Sequence, residues 1–312
     1  MLLNQFHSFY NQHFPDDMEQ LIEYFSIFGG LDWDIDIHQP LESLIEDLIL
    51  DNYGHLSHEV SAIVTLDDPE YYRLLSAIAV GDRRIHSACK RAHISEEKGN
   101  KAIDFFRQNG IINIEYSREV PPLKLHPKQR LKREIARHRI SHKIRFTSPF
   151  LRFWFYFIAP MSQSIEHGEY EDVLERFKQR HASFTSFIFE ELSLLLLEKT
   201  FEQEELVSVG SYWDRQVELD ILARTRQDAT IVGECKWTNT KINKSELGKL
   251  YEKCRTIDLE PDVITLFSKR GFSNELLHQQ NRRVRLFSAE DFAVLLEGDM
   301  TEKPLLRISL PR

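Results

Sequence analysis

Asp220, Glu234 and Lys236 set two carboxylates and an ammonium into two short apolar stretches, residues 216–222 and 230–237. If both stretches are strands, alternation puts Val217, Leu219 and Ile221 on one face and Glu218 and Asp220 on the other. Glu234 and Lys236, two apart, share a face. Ile231, Val232, Gly233, Cys235 and Trp237 mark the second strand as central and mostly buried. Ionised groups in such a place are costly unless they are paired with each other or bound to a metal. Two explanations follow. One is an ordinary ion pair, Glu234–Lys236 or Asp220–Lys236, on a half-exposed sheet face. The other is a site built to hold a cation.

The flanking sequence supplies elements that would position these groups. A helix over 184–199 carries Glu190 and Glu191 just before the first strands, 206–209 and 216–223. Gly233 permits close backbone approach in the strand 229–237. A helix capped by Ser245, an apolar strand at 262–267, a helix at 274–280 and a strand at 284–287 follow. Ser288 and Asp291 then open a last helix. This makes residues 181–298 an α/β domain with a mixed central sheet, and 299–312 a loosely held tail.

Upstream, residues 1–66 read as an acidic helical segment. Residues 67–127 have the pattern of a winged helix-turn-helix: Asp68-Pro69 and Ser95 start helices, Asn109-Gly110 ends one, and 111–116 and 123–126 would be wing strands. Residues 128–180 form a basic and aromatic helical connector, whose Phe150, Phe153, Trp154 and Phe157 make a packing face. The chain is thus α+β and multidomain. Cys89, Cys235 and Cys254 are too scattered for a disulfide framework or a structural zinc site, and no apolar run suffices to cross a membrane. A cytoplasmic protein fits best.

Charge is unevenly placed. The net charge is −9, yet residues 1–72 hold 15 of the 49 acidic side chains and no Lys or Arg. Residues 118–145 hold ten basic side chains against Glu119 and Glu134. A nucleic-acid partner therefore stays in view. The candidate phosphate contacts are Lys124, Lys128, Arg130, Lys132, Arg133, Arg137, Arg139, Lys143 and Arg145, with Lys98 and Lys101 on the helix 95–109. The acidic segment could shield these cations or dock on a basic partner such as a separate ATPase.

On Glu190, Asp220 and Glu234-Cys235-Lys236, in helix–strand–strand–strand–helix–strand order, residues 180–297 resemble the PD-(D/E)XK nuclease superfamily. Phe25-Ser-Ile-Phe-Gly-Gly30, Pro149-Phe-Leu-Arg-Phe-Trp-Phe155 and Glu234-Cys-Lys-Trp237 extend a similarity to the region after the ATPase core of archaeal-type AAA+ ATPases. There a winged helix precedes a nuclease-like domain of unknown function. No GxxxxGK[ST] loop is present, so ATP is not expected as a cofactor. The resemblance implies Mg²⁺- or Mn²⁺-dependent hydrolysis of phosphodiesters, DNA being the expected substrate. Asp220, Glu234 and the Cys235 main-chain carbonyl would be ligands. Lys236 would orient the attacking water or stabilise charge on phosphorus, and Glu190 (Glu191 if the helix is phased differently) would hold a metal-bound water. Glu218 would stand behind them or pair with Arg215. The Cys235 thiol reads as core. Resolvase-like relatives often act as dimers, leaving a homodimer open. A silent nuclease fold that binds DNA or a protein through the winged helix and connector is the alternative.

Overall fold

A computed structural model describes residues 1–64, 68–118, 142–297, 306 and 308–311. Helices dominate the N-terminal region and a five-stranded sheet the C-terminal one. The first helices are α1 (Leu2–His13), α2 (Met18–Phe28), α3 (Leu41–Leu44, running on into a π-helical Ile45–Leu50) and α4 (Tyr53–Ile63). Asp17 caps α2 by accepting the Gln20 N–H at 2.8 Å, and the inner face of α2 is buried from Leu21 to Phe28. Among the described residues no helix is long and apolar enough to cross a membrane.

Three helices follow: α5 (Pro69–Val80), α6 (Ile85–Ala92) and α7 (Glu96–Gln108). Their starts obey the local sequence. Asp68 accepts from the Glu70 N–H with Pro69 in the first turn, and Ser95 accepts from the Lys98 N–H. Beyond Gly110 (φ 69°) runs β1 (Ile112–Glu115), antiparallel to β2 (Lys143–Phe146). The expected partner, 123–126, lies outside the described residues. So do Lys124, Lys128, Arg130, Lys132, Arg133, Arg137 and Arg139. Lys143 and Arg145, expected on a solvated helical connector, are strand residues instead.

The apolar run forms α8 (Pro149–Phe153, continuing as a π-helical Trp154–Ile158), and its Phe150, Phe153, Trp154 and Phe157 are buried. After α9 (Ser162–Glu166) comes α10, a 30-residue helix from Glu171 to Thr200. The expected domain boundary at 180/181 falls within it. Phe177 and Phe184 of α10 pack on Phe157 of α8, while Phe189, farther along, packs on Trp237 and Phe292.

The sheet comprises β3 (Leu206–Trp213), β4 (Glu218–Thr225), β5 (Thr230–Lys236), β6 (Val263–Ser268) and β7 (Val284–Ser288), in that spatial order. The first two pairings are antiparallel and the last two parallel. Helix α10 covers one face. The other is covered by α11 (Lys244–Thr256), whose Leu247, Leu250 and Cys254 join Leu219, Val232 and Leu266 in a second core. Asn243, not Ser245, caps α11, its side chain accepting the Ser245 N–H at 2.9 Å. The helix expected over 274–280 is only α12 (Asn274–Leu277). Ser288 and Asp291 form the expected capping box, on a 3₁₀ helix over Ala289–Leu296. Of the tail expected over 299–312, residues 306 and 308–311 are described, and these are tied down rather than loose: Ile308 is buried, and its carbonyl accepts the Trp33 indole N–H at 2.7 Å.

Candidate active site

The β4–β5 hairpin closes through Asp228, which adopts the left-handed conformation at φ 63°. Pairing then runs Ala223↔Ile231, Leu222↔Val232 and Ile221↔Gly233. On its other edge β4 slips: Gly210 faces Leu222, but Tyr212 faces Leu219. Two steps along β3 thus match three along β4, and the extra residue falls at Asp220-Ile221. This bulge breaks the strict alternation expected from sequence. Leu219 packs with Leu222 in the core under α11, whereas Ile221 packs with Ala223, Ile231 and Cys235 in the main core. Bulges commonly re-aim one side chain. Here the Asp220 carboxylate accepts the Cys235 N–H at 2.8 Å. Gly233 is the glycine this packing requires, because a Cβ there would lie 2.5 Å from Thr265 Oγ1 and 3.0 Å from Ile221 Cβ.

Glu234 is buried at 7% exposure, yet both its oxygens are occupied. Lys236 Nζ donates to Oε1 and Lys253 Nζ, from α11, to Oε2, each at 2.7 Å. Lys236 also stands 3.9 Å from Glu246 of α11, which in turn holds Lys249 at 2.6 Å. The ion pair weighed from sequence is therefore present at Glu234. Asp220 differs. No salt bridge reaches it among the described residues. Burial, then the charges of Glu190 and Glu234, push its carboxyl well above the usual carboxylate range, against the Cys235 N–H. Glu190 is also pushed up by burial, although Arg83, Arg145 and Arg152 pull the other way. Of the two helix acids, Glu190 is the one whose charge reaches Asp220; Glu191 lies 3.5 Å from Arg145. The Cys235 thiol is buried on the α10 side beside Ser193, and burial pushes it far up. Among the described residues, no three His, Cys, Asp or Glu side chains make a ready metal cage.

Behind Glu190 lies an arginine cluster, with Arg152 buried and Arg83 and Arg145 half-buried. Arg145 grips Glu115 through Nε at 2.9 Å and Nη2 at 2.6 Å, and Arg83 adds a contact at 3.4 Å. Arg152 stacks on Phe184 and Phe187, 4.4 and 4.1 Å from the ring centres, and burial pushes its guanidinium down to about 9. Lys143 is buried, lies over the Trp213 ring and pairs with Glu218. These engagements remove Lys143 and Arg145 from any exposed phosphate-gripping surface, and give Glu218 a partner other than Arg215. On α7, Lys98 pairs with Asp68 and Glu70, and Lys101 with Glu97 at 2.8 Å.

Sequence reasoning missed Lys253, Glu246, Arg83 and Arg152. For α11 a signal existed: Glu246, Lys249 and Lys253 recur at three- and four-residue steps, which stripes one helix face with charge. A cavity of about 770 Å³ lies elsewhere, lined by Tyr53, Tyr72, Arg73 and Arg91.

Residues 154–250 match the model of a family described as archaea bacterial proteins of unknown function, DUF234. The matched stretch includes Glu190, Asp220, Glu234 and Lys236. No curated protein and no solved structure matches the chain.

Proposed function

We propose that α10 and the β4–β5 hairpin form a PD-(D/E)XK-type centre for divalent-cation-assisted hydrolysis of phosphodiester bonds in DNA. One observation carries this reading above the others: Asp220 is half-buried beside Glu190 and Glu234, and no salt bridge reaches it among the described residues. A protein gains nothing in stability from an uncompensated buried carboxylate. A hard dication is the group whose arrival would relieve it, and the carboxylate oxygens of Asp220 and Glu234, with the Cys235 carbonyl, suit Mg²⁺ or Mn²⁺. Such a cation, when bound, supplies charge neutralisation at phosphate and acidifies water.

The chain's own groups do the rest. Lys236 presents an ammonium beside Glu234, where it can donate to a non-bridging phosphate oxygen. Glu190, deep in α10 and held up by burial, is a group that can keep or release a proton near Asp220. The Cys235 N–H fixes the Asp220 carboxylate, so that ligand is oriented before substrate arrives. Helices α5–α7 with the β1–β2 ribbon would serve as a winged helix-turn-helix. Because Lys98 and Lys101 are engaged with acids, contact with the DNA backbone falls to the cations of 124–139, outside the described residues.

The test is cleavage of single-stranded, duplex and branched DNA, and of RNA, in Mg²⁺ and in Mn²⁺. Divalent-dependent cleavage by the wild type is expected, with loss in Asp220→Ala, Glu234→Ala and Lys236→Ala of unchanged circular dichroism. Failure to cleave any of these substrates overturns the hydrolytic reading.

A second reading is favoured by Glu234 itself. With both oxygens taken by lysines of the same chain, that carboxylate is balanced without a metal. The fold would then be a silent scaffold for DNA or protein binding. Salt-sensitive DNA binding that survives all three substitutions, without cleavage, is its signature.

A further inference from the structure

Two lysines share one buried carboxylate, and they reach it from different elements. Lys236 lies two residues beyond Glu234 on the same central strand. Lys253 comes across from the last turns of α11, a helix anchored by Leu247, Leu250 and Cys254 against the sheet. The anchoring fixes where the Lys253 stem starts, but the side chain is 33% exposed, so its ammonium can leave Glu234 by rotation alone. Lys236 is bound more firmly. It faces both Glu234 and Glu246. Glu234 is the one ion-pair partner of Lys253 among the described residues.

We propose that Lys253 is a positioning residue that occupies the cation's place on Glu234 and, once displaced, takes up a phosphodiester oxygen. This rests on the reading that Asp220 and Glu234 hold a divalent cation. The charge balance explains why such a residue belongs there. Two ammoniums already on the Glu234 oxygens oppose a dication at the same place. Moving Lys253 onto a phosphate removes that opposition and brings an anion to the ammonium, so cation and substrate favour each other's binding. Without substrate the cation competes with Lys253 and binds weakly.

This arrangement has an outcome that a purely structural ion pair lacks. Lys253→Met keeps the aliphatic stem and deletes the competitor. It is expected to bind Mn²⁺ alone about tenfold more tightly, since one ammonium no longer opposes the ion. The same variant is expected to bind a duplex oligonucleotide more weakly in chelator, with a salt slope shallower by about one. Lys253→Arg, which keeps the charge, is expected to restore both values toward wild type.

The experiment is Mn²⁺ titration by calorimetry on the full chain, for wild type, Lys253→Met, Lys253→Gln, Lys253→Arg and Asp220→Asn. Lys253→Gln guards against a Met variant that does not fold. Tighter Mn²⁺ binding in Lys253→Met or Lys253→Gln, with binding lost in Asp220→Asn, supports the proposal. Equal or weaker Mn²⁺ binding in the folded Lys253 variants, with Asp220→Asn still defective, overturns the proposal and leaves the cation reading intact. Identical titrations for wild type and Asp220→Asn overturn the cation reading, and the proposal with it.

Discussion

Lowering the pH should strip stability from this protein through Glu115, by an amount its surroundings fix. Glu115 ends β1 with its side chain only 10% exposed, and Arg145 and Arg83 both reach its carboxylate. Burial alone would raise its carboxyl. The charge and hydrogen bonds of Arg145, then the charge of Arg83, more than offset that and hold it down to about 2, against an ordinary 4.5. The folded value is the lower one, so the contribution is complete above pH 4.5 and disappears as pH falls toward 2. A difference of about 2.5 units corresponds to about 3 kcal/mol at roughly 1.4 kcal/mol per unit. Other carboxylates titrate over the same window, so the quantity to measure is a difference. Urea unfolding of wild type and Glu115→Gln at pH 7, 5, 4, 3 and 2 supplies it. The variant should be less stable by a few kcal/mol at pH 7, because two half-buried guanidiniums lose the charge of Glu115. Its disadvantage should shrink steadily below pH 4.5. Two curves that stay parallel down to pH 2 would refute the reasoning.

Three further outcomes follow from the site. Asp220→Asn should raise Tm at pH 7, because the folded state disfavours the ionised form; the gain should vanish below pH 3.8, and a lower Tm at pH 7 would contradict the burial argument. Gly233→Ala should cost about 1–3 kcal/mol in urea unfolding, through the clash with Thr265 and Ile221, and a variant within about half a kcal/mol of wild type would show that the strands give way. Cys89, Cys235 and Cys254 are buried and burial raises all three thiols, that of Cys254 to about 11. None should react with a thiol reagent until the chain unfolds; one fast thiol under native conditions would break that expectation.

Local signals in the sequence proved readable where the physics is local. Asp68-Pro69, Ser95 and Ser288 with Asp291 announce helix starts because their hydrogen bonds span only a few residues. The strands around Asp220 and Glu234 were legible from apolar runs. What escaped depended on distant partners. Lys143 and Arg145 belong to a basic run, which reads as a solvated surface, but their acids stand 75 and 30 residues away, at Glu218 and Glu115. The bulge at Asp220 exists only in register with β3, so nothing inside β4 announces it. Lys253 was hidden likewise, 19 residues from the carboxylate it holds. The first turns of α10 were missed because residues 171–183 are mostly polar, and only Val173, Phe177 and the packing against α8 pin them to the core.

A rod that threads two bodies makes them melt as one. The 30 residues of α10 run about 45 Å, at roughly 1.5 Å each, from the phenylalanine cluster of the helical half to the acids beside the sheet. A polypeptide starting at residue 181 would begin mid-rod, without Phe153, Tyr156 and Phe157 to cover Phe184. Its greasy flank would meet water, and aggregation rather than an isolated folded fragment should result. Heating the intact chain should accordingly produce a single calorimetric peak, with no half outlasting the other.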